Sequence, residues 1–400
     1  MYGDCSILNG EDQYLASLYQ RFPVNIARGK GSKVWDSGGK EYIDCMGGYG
    51  VALVGHCNDR VVDAIKRQAE ILITAHMSTY NDTRLRFLEK ITSVAPSTLN
   101  KVFFTNSGAE SVEAALKFAR KYSGKHGVIA MNGAYHGKTF GALSVTYSEK
   151  YRKSFMPLLD GVKFVSYSEP ASLEEAIDHT IGTVIVEPIQ GETGIIVPPD
   201  NLLPKIREIC NRRNLVLIFD EIQSGLGRTG KMWAGQNWNT IPDIMCLAKG
   251  IAGGIPMGLV LAKQEIMDKM KLGEHSSTFG GSPIACAAGI ATIEALTDDK
   301  LIDNASSMGH YFKEGLLRLK DKHKIVREVR GIGMMIGVEL RFDVKDILFD
   351  GIRNGLLVLY SGRNIIRLLP PLVMDELTIS RAVDIIDNLL TQEEKRRNVG

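Results

Sequence analysis

Four places in this 400-residue chain set chemically capable residues directly after short apolar runs. Leu215–Phe219 leads into Asp220-Glu221-Ile222-Gln223. A carboxylate at the end of a buried apolar strand is costly unless a cation meets it, and a protonated heterocycle nitrogen is one such cation. Ile244–Leu247 leads into Ala248-Lys249-Gly250 and a glycine-rich loop. A lysine between a buried strand and such a loop is placed where its pKa can be depressed and its amine made nucleophilic. Val102–Thr105 leads into Asn106-Ser107-Gly108-Ala109-Glu110. Small residues that open a helix leave backbone N–H groups free to hold a phosphate. Thr183–Val186 leads into Glu187-Pro188-Ile189-Gln190-Gly191-Glu192. Its two carboxylates are too few and too far apart for a metal site, and no metal is expected. Taken singly, Ser107 is also an ordinary helix cap, Asp220 a structural cap or salt-bridge partner, and Lys249 a solvated lysine. Taken together, the four ask for one ligand with a phosphate, a cationic ring nitrogen and an amine-reactive carbon. Pyridoxal phosphate (PLP) meets all three demands.

These residues need a framework that brings strand ends together. Short, continuously apolar runs at 102–105, 128–131, 183–186, 215–219, 244–247 and 258–261 read as strands buried on both faces. Helical stretches such as 111–122 and 201–213 lie between them. The alternation predicts an α/β layer with a mostly parallel sheet, whose ligands sit outside the carboxyl ends of the strands. Before it, Lys33–Asp36 and Glu41–Asp44 flank a Ser-Gly-Gly-Lys turn and read as a hairpin. After it, helix, strands and helix from about 291 onward have α+β texture. The expected division is an N-terminal segment, 1–50, belonging to a small domain; a large cofactor domain, 51–290; and a C-terminal small domain, 291–400. The charged tail from Gln392 to Gly400 is expected to fray.

Two glycine patterns are rejected. Gly225-Leu226-Gly227-Arg228-Thr229-Gly230 matches a dinucleotide fingerprint, but five residues separate it from the preceding run, and Gly250 stands where an acid is needed. That leaves a nicotinamide oxidoreductase as the reading from another functional class. Gly137-Lys138-Thr139 ends like a P-loop, but Asn132 occupies the position of its first glycine. The charge balance of 48 basic and 46 acidic residues excludes a nucleic-acid binder held by a basic field. No apolar run is long enough for a membrane span, and the N-terminus lacks the pattern of a secretory signal. Six scattered cysteines read as reduced thiols, so a cytoplasmic location is expected. The 41 glycines point to many tight turns and backbone-lined sites.

From Phe22 to Leu372 the chain resembles the class III PLP-dependent aminotransferases, in the acetylornithine and ornithine aminotransferase subgroup. The likeness is carried by Asn106 to Glu110, Tyr135-His136-Gly137-Lys138-Thr139, Glu187 to Glu192, Asp220-Glu221-Ile222-Gln223, Lys249-Gly250, Ser277-Thr278-Phe279-Gly280-Gly281 and Ile366-Arg367-Leu368-Leu369-Pro370-Pro371. It implies a fold type I α/β architecture: a large domain with a mostly parallel seven-stranded sheet, and a smaller α+β domain. It implies Lys249 as the Schiff-base lysine and proton carrier, Asp220 at the pyridinium nitrogen and Gln223 at the ring hydroxyl oxygen. Ser107, Gly108 and Ala109 are implied at the phosphate, and Tyr135 stacked on the ring. Thr278 is implied to reach the phosphate of a neighbouring subunit, hence a homodimer. Arg367 is implied as the clamp for the α-carboxylate of glutamate or 2-oxoglutarate, and Glu192 as its partner in the other half-reaction. Tyr19 matches a substrate-contacting tyrosine of ornithine aminotransferases.

One position departs from the resemblance. The family carries an arginine where this chain has Lys138, and lysine keeps the charge but loses the bidentate fork. A substrate with a blocked α-amino group, or one attached to a bulky carrier, would be handled differently. Some archaeal-type relatives act on precursors held by a small acidic amino-group carrier protein. The expected activity is transfer of the terminal amine of an N-acylated or carrier-bound ornithine or lysine to 2-oxoglutarate, in lysine or arginine biosynthesis. The alternatives are a free ornithine or ω-amino acid aminotransferase and a glutamate-semialdehyde aminomutase.

Overall fold

The computed structural model describes residues 5–398, with side chains from residue 10. The chain divides into two compact units. One comprises the residues up to Asn58 and those from Asn304 on, and the other runs from Asp59 to Asp303. We call them the terminal and the central unit.

In chain order, the terminal unit begins with β1 (Ile26–Lys30), β2 (Lys33–Asp36) and β3 (Glu41–Asp44), joined as antiparallel neighbours. The turn between β2 and β3 closes because the Asp36 carboxylate accepts from the Lys40 N–H at 2.9 Å. The central unit carries β4 (Lys101–Thr105), β5 (Gly127–Met131), β6 (Val162–Val165), β7 (Ile181–Val186), β8 (Val216–Asp220), β9 (Ile244–Leu247) and β10 (Gly258–Ala262). The terminal unit resumes with β11 (Val326–Ile332), β12 (Met335–Leu340), β13 (Leu356–Leu357), β14 (Leu359–Ser361) and β15 (Ile365–Leu368).

The seven central strands form one sheet in the order β4-β10-β9-β8-β7-β5-β6. All pairings are parallel except those of β10, which runs antiparallel to both β4 and β9. Strands β7, β8, β9 and β10 are buried along their full lengths, as their unbroken apolar sequences require. Helix Gly108–Ser123 lays Val112, Ala115 and Phe118 against Ile185, Ile218, Cys246 and Val260 in one core. Strand β6 escaped the sequence reading: Val-Lys-Phe-Val is short, interrupted by a charge and only half buried at the sheet edge.

The terminal unit holds two four-stranded sheets, β1-β2-β3-β13 and β11-β12-β15-β14. Its last helix corrects the expectation of a frayed tail, because it continues from Glu376 to Arg397. Arg396 bonds Asp350 at 2.7 Å and Glu393 at 2.6 Å, and the Arg397 guanidinium lies 3.7 Å from the Phe342 ring centroid. Residues 399–400 lie outside the described residues. Among the described residues no helix is long and apolar enough to cross a membrane, and no cluster could hold a metal ion. Cys45, Cys57, Cys210, Cys246 and Cys286 are free. Burial pushes the Cys210 and Cys286 thiols up to about 12. The Cys5 side chain lies outside the described residues.

Candidate active site

The carboxyl ends of β8 and β9 carry two of the expected residues on neighbouring strands. Asp220 stands opposite Cys246 in the parallel register, three positions before Lys249. Asp220 is 5% exposed. One carboxylate oxygen lies 2.7 Å from His136 Nδ1, and the other accepts from the Ile222 N–H at 3.1 Å. His136 is fixed in turn, because its N–H donates to Thr146 Oγ1 at 2.9 Å. Its Nε2 is buried with no hydrogen-bond partner. Glu187, at the end of β7, accepts from the Tyr135 N–H at 3.0 Å and the Gly191 N–H at 3.2 Å. Burial, with the Asp220 charge nearby, pushes the Glu187 carboxyl up to about 7.

Lys249 has φ 51°, a left-handed conformation uncommon for a long side chain. It opens a short 3₁₀ turn, Lys249–Ala252, directly after Ala248. Backbone strain of this kind persists only where the surroundings over-determine it.

The end of β4 opens the helix at which the phosphate is expected. Ser107 caps helix Gly108–Ser123, its Oγ accepting from the Glu110 N–H at 3.3 Å. Ser111 Oγ donates to the Leu247 carbonyl at 3.0 Å and so ties this helix to β9. A Cβ on Gly108 would stand 2.9 Å from Ile222 Cδ1, so glycine lets the helix start close against the Asp220–Gln223 segment without pushing Ile222 aside. Gln223 is placed by the same segment, and its Oε1 is buried without a partner. Thr278 is exposed on the rim of a cleft of about 300 Å³, with Asn106, Glu110 and His275. Asn106 Nδ2 bonds Ser277 Oγ at 3.1 Å, which fixes that loop to the helix entrance.

Tyr135 is half buried beside the same edge. Burial first, then Glu192, Tyr151, Asp220 and Glu187 around it, push its hydroxyl up to about 12. Lys138 is exposed, and its Nζ lies 5.0 Å above the Tyr151 ring centroid. The structure therefore groups Tyr135, Lys138 and Glu192 with the expected cofactor residues of the central unit. The rejected glycine patterns stay rejected. Residues 222–229 form turns rather than a helix, and Gly137-Lys138-Thr139 leads into a helix of only five residues.

In the terminal unit, Arg367 on β15 is 0% exposed, and its guanidinium lies 6.0 Å from the Tyr49 ring centroid. Tyr49 has φ 61° and lies between Gly48 and Gly50. Asp44 pins this segment by accepting from the Met46 and Gly47 N–H groups at 2.8 and 3.0 Å. Tyr19 is 72% exposed. Its neighbour Gln20 accepts a hydrogen bond from the Tyr360 hydroxyl, and Tyr360 pairs with Ile366, beside Arg367.

Sequence reading had given no role to His136, Glu187, Tyr49 or Tyr151. His136 lies within the Tyr135–Thr139 motif, but its partner is 84 residues away. For Tyr49 the only available signal was its glycine-flanked position. The central residues fit PLP. Helix-start amides stand next to a cradle that a Cβ would fill, a buried carboxylate sits at the end of β8, three strands over from β4, and Gln223 offers an unsatisfied buried amide oxygen.

Comparison with known proteins shows the family. The family model described as "Aminotransferase class-III" matches residues 14–390. An acetylornithine aminotransferase of Caldanaerobacter subterraneus is 41% identical over 389 residues, 96% of this chain and 98% of that protein. One from Methanocaldococcus jannaschii is 40% identical over 395 residues, with the same coverage. A crystal structure of the Toxoplasma gondii ornithine aminotransferase, in which PLP partly occupies the active site, superposes with a TM-score of 0.94. It is 34% identical and covers 98% of this chain and 95% of that one.

Proposed function

The chain belongs to the class-III aminotransferases, which use PLP, and we propose that it moves the terminal amino group of an N-acylated ornithine or lysine to 2-oxoglutarate, and back from glutamate. The observation that carries this reading is the strained Lys249, one strand over from the Asp220–His136 pair. The acetylornithine aminotransferases among the relatives support the ornithine derivative. Lys138 supports a donor whose α-nitrogen is blocked, attached either to an acyl group or to a small acidic carrier protein. That route serves arginine or lysine biosynthesis.

PLP, when bound, supplies the electron sink that makes amino transfer possible at neutral pH. The chain's own residues do the rest in this reading. The Lys249 amine would hold the cofactor covalently and, once displaced by the donor, would take up and return a proton at Nζ. Asp220, oriented by His136, would pair with the ring nitrogen and keep it protonated. Gln223 would hydrogen-bond the ring hydroxyl, and the amides of Ser107, Gly108 and Ala109 would hold the phosphate. Tyr135 covers one ring face. Arg367 takes the α-carboxylate of glutamate or 2-oxoglutarate through its planar fork, with Tyr49 and Tyr19 on the same unit as lining residues. Glu192 and Lys138 serve the amine donor.

A second copy of the chain is part of the proposal. Ile71, Leu72, Ile73, Met77, Tyr80 and Phe279 are exposed apolar side chains. The Ile284 N–H donates to the Ile73 carbonyl, and a Cβ on Gly281 would meet Met77, so this surface adjoins the Thr278 loop. Apolar surface of this kind marks an interface, and it supports Thr278 reaching the partner's phosphate. Sedimentation at micromolar concentration is expected to give a dimer.

The substrate test is a half-reaction screen. N-acetylornithine, carrier-bound amines, free ornithine and glutamate are each mixed with the yellow enzyme, and the loss of its absorbance is followed. Glutamate and a blocked donor bleach it, whereas Lys249→Ala turns over nothing. Retained turnover by that variant would remove Lys249 from its role. Faster bleaching by free ornithine than by blocked donors would favour the ornithine aminotransferase reading, which the likeness to the Toxoplasma gondii enzyme also supports. Turnover without 2-oxoglutarate would point to an aminomutase.

A further inference from the structure

Lys138 leads to a residue with no assigned role. An ammonium on a four-carbon stem is mobile, and where a guanidinium would orient itself by its own fork, lysine needs something to hold it. Its Nζ lies 5.0 Å from the Tyr151 ring centroid, within the range of a cation–π contact. The Tyr151 ring also stands edge-on to Tyr135, with centroids 5.8 Å apart at 75°. One aromatic side chain therefore touches both the lysine and the tyrosine beside Glu192.

The support under Tyr151 is built. It sits on a single helical turn, Glu149–Arg152, which is too short to be stable by its own hydrogen bonds. Neighbouring side chains fasten that turn to the sheet. The Arg152 guanidinium stacks 4.8 Å from the Phe164 ring centroid on β6, and Tyr147 meets the same ring edge-on at 5.4 Å. The edge strand that the sequence hides thus anchors the turn that presents Tyr151.

We propose that Tyr151 is a specificity-determining positioning residue, whose ring face seats the Lys138 ammonium where it reads the carboxylate of the amine donor. This rests on the reading of Lys138 as a donor-binding residue. A point charge on an aromatic seat accepts a carboxylate in more than one orientation, which suits donors with a bulky group on the α-nitrogen.

The test uses the PLP-loaded enzyme and N-acetyl-L-norvaline, which keeps the blocked α-nitrogen and carboxylate but has no terminal amine to react. Its Kd is measured by calorimetry, beside KM and kcat for N-acetylornithine. Tyr151→Leu is expected to raise Kd and KM about 3- to 10-fold with kcat held. Tyr151→Phe, which keeps the ring, stays within about twofold of wild type. In a Lys138→Ala background, Tyr151→Leu adds nothing further. If the two substitutions prove additive, or if Tyr151→Leu lowers kcat and the melting temperature while Kd stays put, Tyr151 is only structural and the proposal falls. If Lys138→Ala alone leaves Kd unchanged, the donor-binding reading of Lys138 falls, and the proposal with it.

Discussion

Replacing His136 by alanine tests whether the Asp220 carboxylate depends on its buried partner. In the apoprotein the change removes a contact of 2.7 Å and leaves the 5% exposed carboxylate with the Ile222 N–H at 3.1 Å. Breaking a buried pair by deleting one partner costs about 3–5 kcal/mol, and a lost hydrogen bond to a charged group about 1.5–3 kcal/mol. A cost of about 3 kcal/mol is reasonable for a pair that keeps one backbone donor. For a unit of this size each kcal/mol moves the melting temperature by about 2–4 °C, so the apoprotein should melt about 6–12 °C lower. PLP supplies a protonated ring nitrogen as a replacement partner, so the loaded variant should lose less than half as much. Adding Asp220→Asn removes the stranded charge and should recover part of the apoprotein loss. The measurement is thermal melting of wild type, His136→Ala and His136→Ala/Asp220→Asn, each with and without PLP. An apoprotein His136→Ala that melts within about 1 °C of wild type would refute the reasoning. So would a loss that PLP does not reduce.

Three further outcomes follow from the same geometry. Glu221 is buried, with oxygens 2.6 and 2.9 Å from the Ala234 and Gly235 N–H groups, and burial pushes it from 4.5 up to about 7. The folded chain holds this proton longer than the unfolded chain, so its stabilising contribution is complete below pH 4.5 and is lost as pH rises to about 7. The melting temperature of Glu221→Gln, relative to wild type, should therefore climb across that interval; a flat difference would contradict it. Gly191→Ala would put a Cβ 2.0 Å from Gln223 Oε1 and must displace that amide. Equilibrium dialysis should show PLP bound about 2- to 10-fold more weakly, the equivalent of one hydrogen bond. Arg367→Lys keeps the charge but loses the fork, so KM for 2-oxoglutarate should rise about tenfold or more while PLP affinity holds.

Much of this was legible in the residues. Strands β7, β8 and β9 announce themselves because burial on both faces forces continuous apolar sequence; β8 ends in Asp220, and Glu187 and Ala248-Lys249 follow β7 and β9. Ser107 and Gly108 were readable as a helix start for the same local reason. What stayed hidden is not local. Strand direction leaves no mark on composition, so nothing in Gly258–Ala262 says that β10 runs antiparallel between β4 and β9. His136 looks like any buried histidine until the fold brings β8 to its Nδ1. The φ angles of 61° at Tyr49 and 51° at Lys249 are likewise not written in the side-chain code, although Lys249 itself was conspicuous by its place.

The partition of the chain also sets an order of events during synthesis. The central unit is one uninterrupted stretch, so it can fold as soon as it has left the ribosome. The terminal unit cannot, because β3 borders β13, with Ile43 opposite Leu356 near the other end of the chain. Until β13 emerges, the β1–β3 hairpins wait with one edge of β3 unpaired, an open template for strands of other nascent chains. Strands β1–β3, made before the central unit, are thus completed only after it. Chaperone dependence, or aggregation on overexpression, should track that waiting edge rather than the cofactor sheet.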